Sequence, residues 1–312
     1  MKRRIGIVGL GDIAGKAYLP VLAARPDVEI LVCSRTTTRV QEVMAHYNLS
    51  HGSTDLDQFL DQRPEAAFVL TPSPSHFEVA HELLDAGVDV FVEKPATLRS
   101  DDTQALADLA ERRGRVLMVG FNRRFAPLHQ QARELWGDRS VGLALFQKHR
   151  SSAAHPDLLE NYIDDTIHII DLLRFFCGEA RAVSTEARAR GGRLVDAVSV
   201  VALEKGGLGV IATSLEAGGW SETYSLNGEG TTIDVEAFSR LRSGSETEER
   251  VWREPYASGW KPTLQARGFT GQVDHFFDCL ASREMPIASG LNAYRTQRLL
   301  EDLVGCARIT ET

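Results

Sequence analysis

Up to Phe121 the chain repeats a single pattern, in which a short, unbroken apolar run is followed by a longer stretch of helical period. RIGIVG precedes Ala14 to Ala24, VEILVCS precedes Thr37 to Tyr47, AAFVL precedes Pro74 to Ala86, VDVFVE precedes Asp101 to Arg113, and RVLMVG closes the series. A strand that is apolar on both faces must be covered on both, and the intervening helices are the cover at hand. The pattern predicts a parallel sheet wrapped by helices.

Beyond Phe121 the texture changes. VGLALFQKH, RAVSTEARA, DAVSVVALE, LGVIATSL, ETYSLNG and TTIDVEAF are β-rich and joined by glycine turns such as Glu204-Lys205-Gly206-Gly207 and Asn227-Gly228-Glu229-Gly230. They predict a large, open, mostly antiparallel sheet. Helices are expected at about Asp165 to Cys177, Thr270 to Ser282 and Leu291 to Ile309, and the polar stretch Arg242 to Arg250 reads as a solvated loop or hairpin. At 312 residues the chain is long enough for two domains. We divide it into an α/β domain over 1–121 and an α+β domain over 122–312.

The first strand runs directly into Gly9-Leu10-Gly11-Asp12-Ile13-Ala14. A glycine that permits a tight turn, a second that lets a pyrophosphate approach the backbone, and a small residue where helix meets strand make up the G-x-G-x-x-[GA] dinucleotide pattern of a Rossmann domain. Its place between a strand and a helix, within a βα series, gives it weight that the six residues alone lack. The second strand ends at Ser34-Arg35, where an NAD site offers a carboxylate to the adenosine ribose. Serine does not repel a 2′-phosphate, and Arg35 and Arg39 attract one, so NADP is slightly preferred over NAD; Arg35 as a plain surface residue is the alternative.

Glu93-Lys94-Pro95 closes the fourth apolar run, at the carboxyl edge of the sheet where such folds bind ligands. Farther on, Asp164, His168 and Asp171 stand at i, i+4 and i+7, within about 60° of one another on a helix. The rest of that helix is largely apolar. Such a stripe faces water or a polar cavity, because isolated buried charges are costly. An amphipathic helix capped by Asp164, with His168 and Asp171 in solvent, satisfies the same pattern.

A formal net charge of −8, with Lys and Arg scattered along the chain, gives no footprint for nucleic acid. No run approaches the roughly 20 apolar residues of a membrane span. Gly9, Gly11, Asp12 and Gly15 break the N-terminal apolar stretch too early for a secretory leader. The expectation is a cytoplasmic protein acting on a small molecule. Cys33, Cys177, Cys279 and Cys306 lie far apart and read as reduced core thiols. Neither a cysteine cluster nor His-Glu-x-x-His is present, and His76 and His81 are spaced wrongly for a helical pair, so no metal is expected.

Gly-Leu-Gly-Asp-Ile-Ala, Thr71-Pro72 with His76, Glu93-Lys94-Pro95, Gly120-Phe121-Asn122-Arg123-Arg124-Phe125 and Asp164-x-x-x-His168 occur in this order. Together they resemble the Gfo/Idh/MocA oxidoreductase family over essentially the whole chain. Lys148-His149-Arg150-Ser151 and Gln265-Ala266-Arg267-Gly268-Phe269 look like its MviM-type branch. The resemblance implies a substrate site lined by Lys94, Asp164 and His168 beside the nicotinamide, with Gly9, Gly11, Asp12, Ile13, Ala14, Ser34, Arg35, Arg39, Thr71, Pro72, His76, Glu93 and Lys94 serving the dinucleotide. Asn122, Arg123, Lys148 and Asp165 are the candidates for substrate contact. The implied substrate is a sugar, cyclitol or related polyol. Separately, the few helices expected near 165, 270 and 291 leave one face of the C-terminal sheet uncovered, from which a homodimer or higher oligomer is expected. Thr166 stands where glycine is usual in that helix. The alternative function is a non-catalytic, dinucleotide-binding regulatory protein of the same fold.

Overall fold

The computed structural model describes residues 2–151, 157–254 and 262–312. They form two compact units, one running to Phe121 and including Phe269–Tyr294, the other comprising Asn122–Gly268 and Arg295–Thr312. The sequence division places 269–294 with the second domain. Its aromatic side chains join it to the first: Phe276 lies 5.4 Å from Phe68 and 5.6 Å from Phe91, and Phe269 lies 5.9 Å from Tyr18.

The first unit holds a six-stranded sheet of β1 (Arg3–Val8), β2 (Val28–Cys33), β3 (His51–Ser53), β4 (Ala66–Val69), β5 (Asp89–Val92) and β6 (Leu117–Val119). The spatial order is β3-β2-β1-β4-β5-β6, every pair parallel. The chain thus leaves β1 toward one side and later returns to the other, which opens a crevice at the carboxyl ends of β1 and β4. β4 and β5 are buried at every residue, as unbroken apolar runs require. β3 escaped the sequence reading because His51-Gly52-Ser53 is a short edge strand without an apolar run. The helices Thr37–Tyr47, His76–Asp85 and Ser100–Arg113 fall close to their expected places. The one after β1 departs from α geometry, with a π turn at Ala14–Tyr18 followed by Leu19–Ala23. Pro20 explains the break, since it cannot donate to the carbonyl of Lys16 and its ring crowds that turn.

In the second unit, nine strands form a mixed sheet: β7 (Leu143–His149), β8 (Ala180–Arg190), β9 (Arg193–Leu203), β10 (Leu208–Ser214), β11 (Ser221–Gly228), β12 (Thr231–Glu236), β13 (Arg240–Ser245), β14 (Glu249–Arg253) and β15 (Ala307–Glu311). Their order is β14-β13-β12-β11-β7-β10-β9-β8-β15, with β7–β10 and β8–β15 parallel and the rest antiparallel. Arg242 to Arg250 belongs to the β13–β14 hairpin. The closing helix stops at Gly305, four residues short of expectation, because Ala307–Glu311 pairs with β8 as an edge strand. Cys306, at that junction, is exposed and corrects the expectation of four core thiols; Cys33, Cys177 and Cys279 are buried. The helix Ile167–Cys177 packs so closely on this sheet that a Cβ on Gly209 would lie 2.8 Å from Leu173. Among the described residues no helix is long and apolar enough to cross a membrane, and no group of His, Cys, Asp or Glu could hold a metal ion.

Candidate active site

In the first unit, a cavity of about 330 Å³ lies away from the crevice, whereas one of about 670 Å³ opens on it at the carboxyl ends of β1, β2 and β4. Gly9, Gly11, Asp12, Ile13, Ser34, Arg35, Thr71 and Pro72 line the larger cavity. Gly9 is irreplaceable on two counts: its φ is +97°, and a Cβ there would come within 2.6 Å of the Leu70 and Thr71 backbone. Gly11 has the opposite surroundings. Nothing lies within 4 Å of where its Cβ would be, which leaves the space a pyrophosphate needs at a helix start. Thr71 Oγ1 is buried without a hydrogen-bond partner among the described residues, a polar atom placed for a ligand. The residues present therefore fit a dinucleotide.

Around that cavity, Arg35 is exposed, while Arg39 Nε donates to the Leu10 carbonyl at 2.8 Å and so braces the glycine loop. The carboxylate of Glu42 lies 3.3 Å from the other end of the Arg39 guanidinium. Ala14 is buried behind the loop. The two ring nitrogens of His76 lie 2.7 Å from the Thr71 carbonyl and 2.8 Å from the Pro95 carbonyl; burial pushes the imidazole below the usual histidine range, which favours the neutral ring, whose single N–H donates to one of the two. The ring lies between the β4 terminus and the Glu-Lys-Pro turn. Glu93 is buried and accepts from the Lys94 backbone N–H at 2.9 Å, and Lys94 itself is half-buried.

The second unit carries the other set. Asp164 lies in a π turn, Tyr162–Thr166, and is exposed; His168 follows in the first turn of the α-helix and is 7% exposed. Asp171 does not continue an open stripe. It is buried and paired with Arg124 through two contacts of 2.6 and 2.7 Å, and accepts from Thr296 at 3.0 Å. Its role is structural: Arg124 and Thr296 take up both of its carboxylate oxygens inside the unit.

Asn122, Arg123, Lys148 and Asp165 do come together, within one buried ionic network. Arg123 holds Glu222 at 2.8 and 2.9 Å and contacts Asn122 Oδ1 at 3.2 Å. Lys148 Nζ lies 2.9 Å from the Asp165 carboxylate and 3.7 Å from Glu222, and donates to the Asp165 carbonyl at 3.0 Å. Arg150 completes the set through Asp165 at 2.8 Å. Burial, reinforced by Arg123, brings Lys148 down to about 8. Burial alone would raise the Glu222 carboxyl, but Arg123 and Lys148 outweigh it and hold the group at about 2. Arg150 and Lys148 likewise overcome burial to keep Asp165 far below the usual carboxylate range.

Sequence reasoning missed Glu222, Arg150, Tyr18 and Gln272. A signal existed for Glu222: in β11 it shares inward parity with Tyr224 and Leu226, so a carboxylate there must be buried.

The family model described as an oxidoreductase family with an NAD-binding Rossmann fold matches residues 3–121. YceM of Salmonella typhimurium is 33% identical over 325 aligned residues, covering 96% of each chain. The scyllo-inositol 2-dehydrogenase (NAD(+)) of Bacillus subtilis is 25% identical, with 93% of this chain and 90% of that protein covered. Among solved structures, the dehydrogenase MviM of Clostridium difficile matches with a TM-score of 0.88 at 22% identity, over 98% of this chain and 99% of that one.

Proposed function

Because this chain belongs to the Gfo/Idh/MocA family of oxidoreductases, whose Rossmann fold binds NAD, we propose that it moves a hydride between a nicotinamide dinucleotide and a carbinol or carbonyl carbon of a sugar, cyclitol or related polyol. The observation that carries this reading is the glycine-lined cavity at the carboxyl edge of the parallel sheet, in the same unit as the Lys94 turn. When bound, the nicotinamide supplies the redox chemistry. The chain's own groups handle the proton. His168 takes the hydroxyl proton in the oxidation direction, imidazole being the side chain best suited to exchange a proton near neutral pH. Lys94 donates to the reacting oxygen and stabilises developing alkoxide, and Asp164 orients the substrate or the imidazole. Lys94 and His168 with exchanged roles would serve the same reaction. Asn122, Arg123, Lys148 and Asp165 shape the substrate side from behind the Asp164 turn.

NADP is the preferred cofactor in this reading. Ser34 and exposed Arg35 line the cavity where a carboxylate would otherwise select a free ribose diol. Arg35 is the main phosphate partner, since Arg39 already donates to Leu10. One charge-assisted contact of about 1.5 to 3 kcal/mol corresponds to a preference of roughly ten- to a hundredfold. Fluorescence titration of NADPH and NADH tests it, with reversal expected in Ser34→Asp/Arg35→Ala; equal or tighter NADH binding by the unmodified protein refutes it. A panel of polyols and keto sugars then separates an enzyme from a non-catalytic dinucleotide-binding protein, and the presence of Lys94, Asp164 and His168 together favours the enzyme.

A further inference from the structure

The phenol of Tyr18 is fully buried, yet it sits between two polar side chains rather than in a purely apolar pocket. Its hydroxyl donates to Glu93 Oε1 and accepts from Gln272 Nε2 at 2.9 Å, and the other oxygen of Glu93 accepts the backbone N–H of Lys94 at 2.9 Å. The direction of each bond follows from chemistry. A carboxylate can only accept, so the phenol must donate to it, and Gln272 must present its NH₂ to the phenol oxygen. Burial, with the charge of Glu93 second, holds the Tyr18 phenol well above its usual pKa and so keeps it a donor. The result is a line running from Gln272 through Tyr18 and Glu93 to the backbone of Lys94.

The surroundings are shaped for this line. Tyr18 stacks edgewise on Phe91, whose side chain shares strand parity with Glu93, at 5.4 Å, and on Phe269 at 5.9 Å. A Cβ on Gly120 would stand 3.1 Å from Glu93 Oε1 and 3.3 Å from the Tyr18 hydroxyl, so the end of β6 leaves room for the pair. Tyr18 is also the last residue of the π turn that follows the dinucleotide loop. One extra residue in that turn sets the direction in which the phenol projects.

We propose that Tyr18 and Gln272 are positioning residues for Lys94: they fix the Glu93 carboxylate, which in turn holds the peptide from which the lysine extends. The inference rests on the reading of Lys94 as a substrate-site residue. Its first test needs no substrate. Amide exchange at Lys94 should accelerate about tenfold in Tyr18→Phe, while the Val92 amide of the same turn of chain and the affinity for NADPH stay within about twofold. With any substrate the panel yields, kcat should fall about tenfold at constant KM. Gln272→Met, which spares the bond from Tyr18 to Glu93, should show the same pattern at smaller amplitude, and it decides the matter if Tyr18→Phe does not fold. Exchange at Lys94 unchanged in both variants overturns the proposal, as does faster exchange spread evenly over Val92 and Lys94. If no substrate turns over but Lys94 alone loosens, the positioning inference stands and the reading of the reaction fails.

Discussion

Lys148 and Glu222 point inward from β7 and β11, at positions that share parity with Phe146 and Tyr224. Their consequence for stability has a definite sign. Between the folded value of about 8 for Lys148 and its usual 10.5, the unfolded chain holds a proton that the folded protein has released, so stability rises with pH across that window. For Glu222 the contribution is complete above 4.5 and is lost as pH falls toward about 2. Denaturant melts over a pH series should show both limbs, and Lys148→Met should abolish the alkaline rise; an identical slope in wild type and variant would contradict the assignment. Glu222→Ala leaves Arg123 buried without its carboxylate, while Lys148 keeps Asp165, and should destabilise by about 3 to 5 kcal/mol. At this scale the sequence was partly legible. Strand parity exposes a buried Glu222, but no local pattern joins Tyr18 to Glu93, 75 residues on, or to Gln272, 254 residues on.

Elements were most legible where one signal decides them. The β1 turn is such a case, since only glycine tolerates both the φ of Gly9 and the approach of Leu70. Gly9→Ala should weaken NADPH binding at least about tenfold and lower the melting temperature, because left-handed backbone costs a side chain roughly 1–2 kcal/mol before the clash is counted; unaltered binding by calorimetry would show that the turn is not the phosphate site. Apart from β3, the strands up to Phe121 were readable because they are continuous apolar runs. The π turns at Ala14–Tyr18 and Tyr162–Thr166 were not, since they alter the hydrogen-bond ladder without altering the apolar period. β15 was hidden for a different reason: Ala307–Glu311 is too short and too exposed to stand apart from the helix before it, and only pairing with β8 makes it a strand.

For the whole chain, a change of texture at Phe121 was visible, while the return of Phe269–Tyr294 to the first unit was not, because it depends on aromatic contacts between distant segments. The nine-stranded sheet has consequences for assembly. On one face it carries the helix Ile167–Cys177. On the other, Leu143, Leu208 and Val198 are 41%, 50% and 46% exposed, and Leu145, Val210 and Val200 lie in one cross-strand row. An apolar sheet face of this kind is best buried against a second copy. Light scattering at micromolar concentration should report a dimer or larger, dissociated by Leu145→Glu with Val210→Lys, and a monomeric wild type would refute that expectation.

The central proposal, hydride transfer that depends on both Lys94 and His168, is tested most directly by comparing steady-state turnover with NADPH affinity in Lys94→Ala and His168→Ala, using the best substrate of the polyol panel. The account predicts that kcat falls by about 10²-fold or more in each variant, the scale of general acid–base catalysis, while the dinucleotide dissociation constant changes by less than about threefold. Turnover at the wild-type rate in both variants would contradict it.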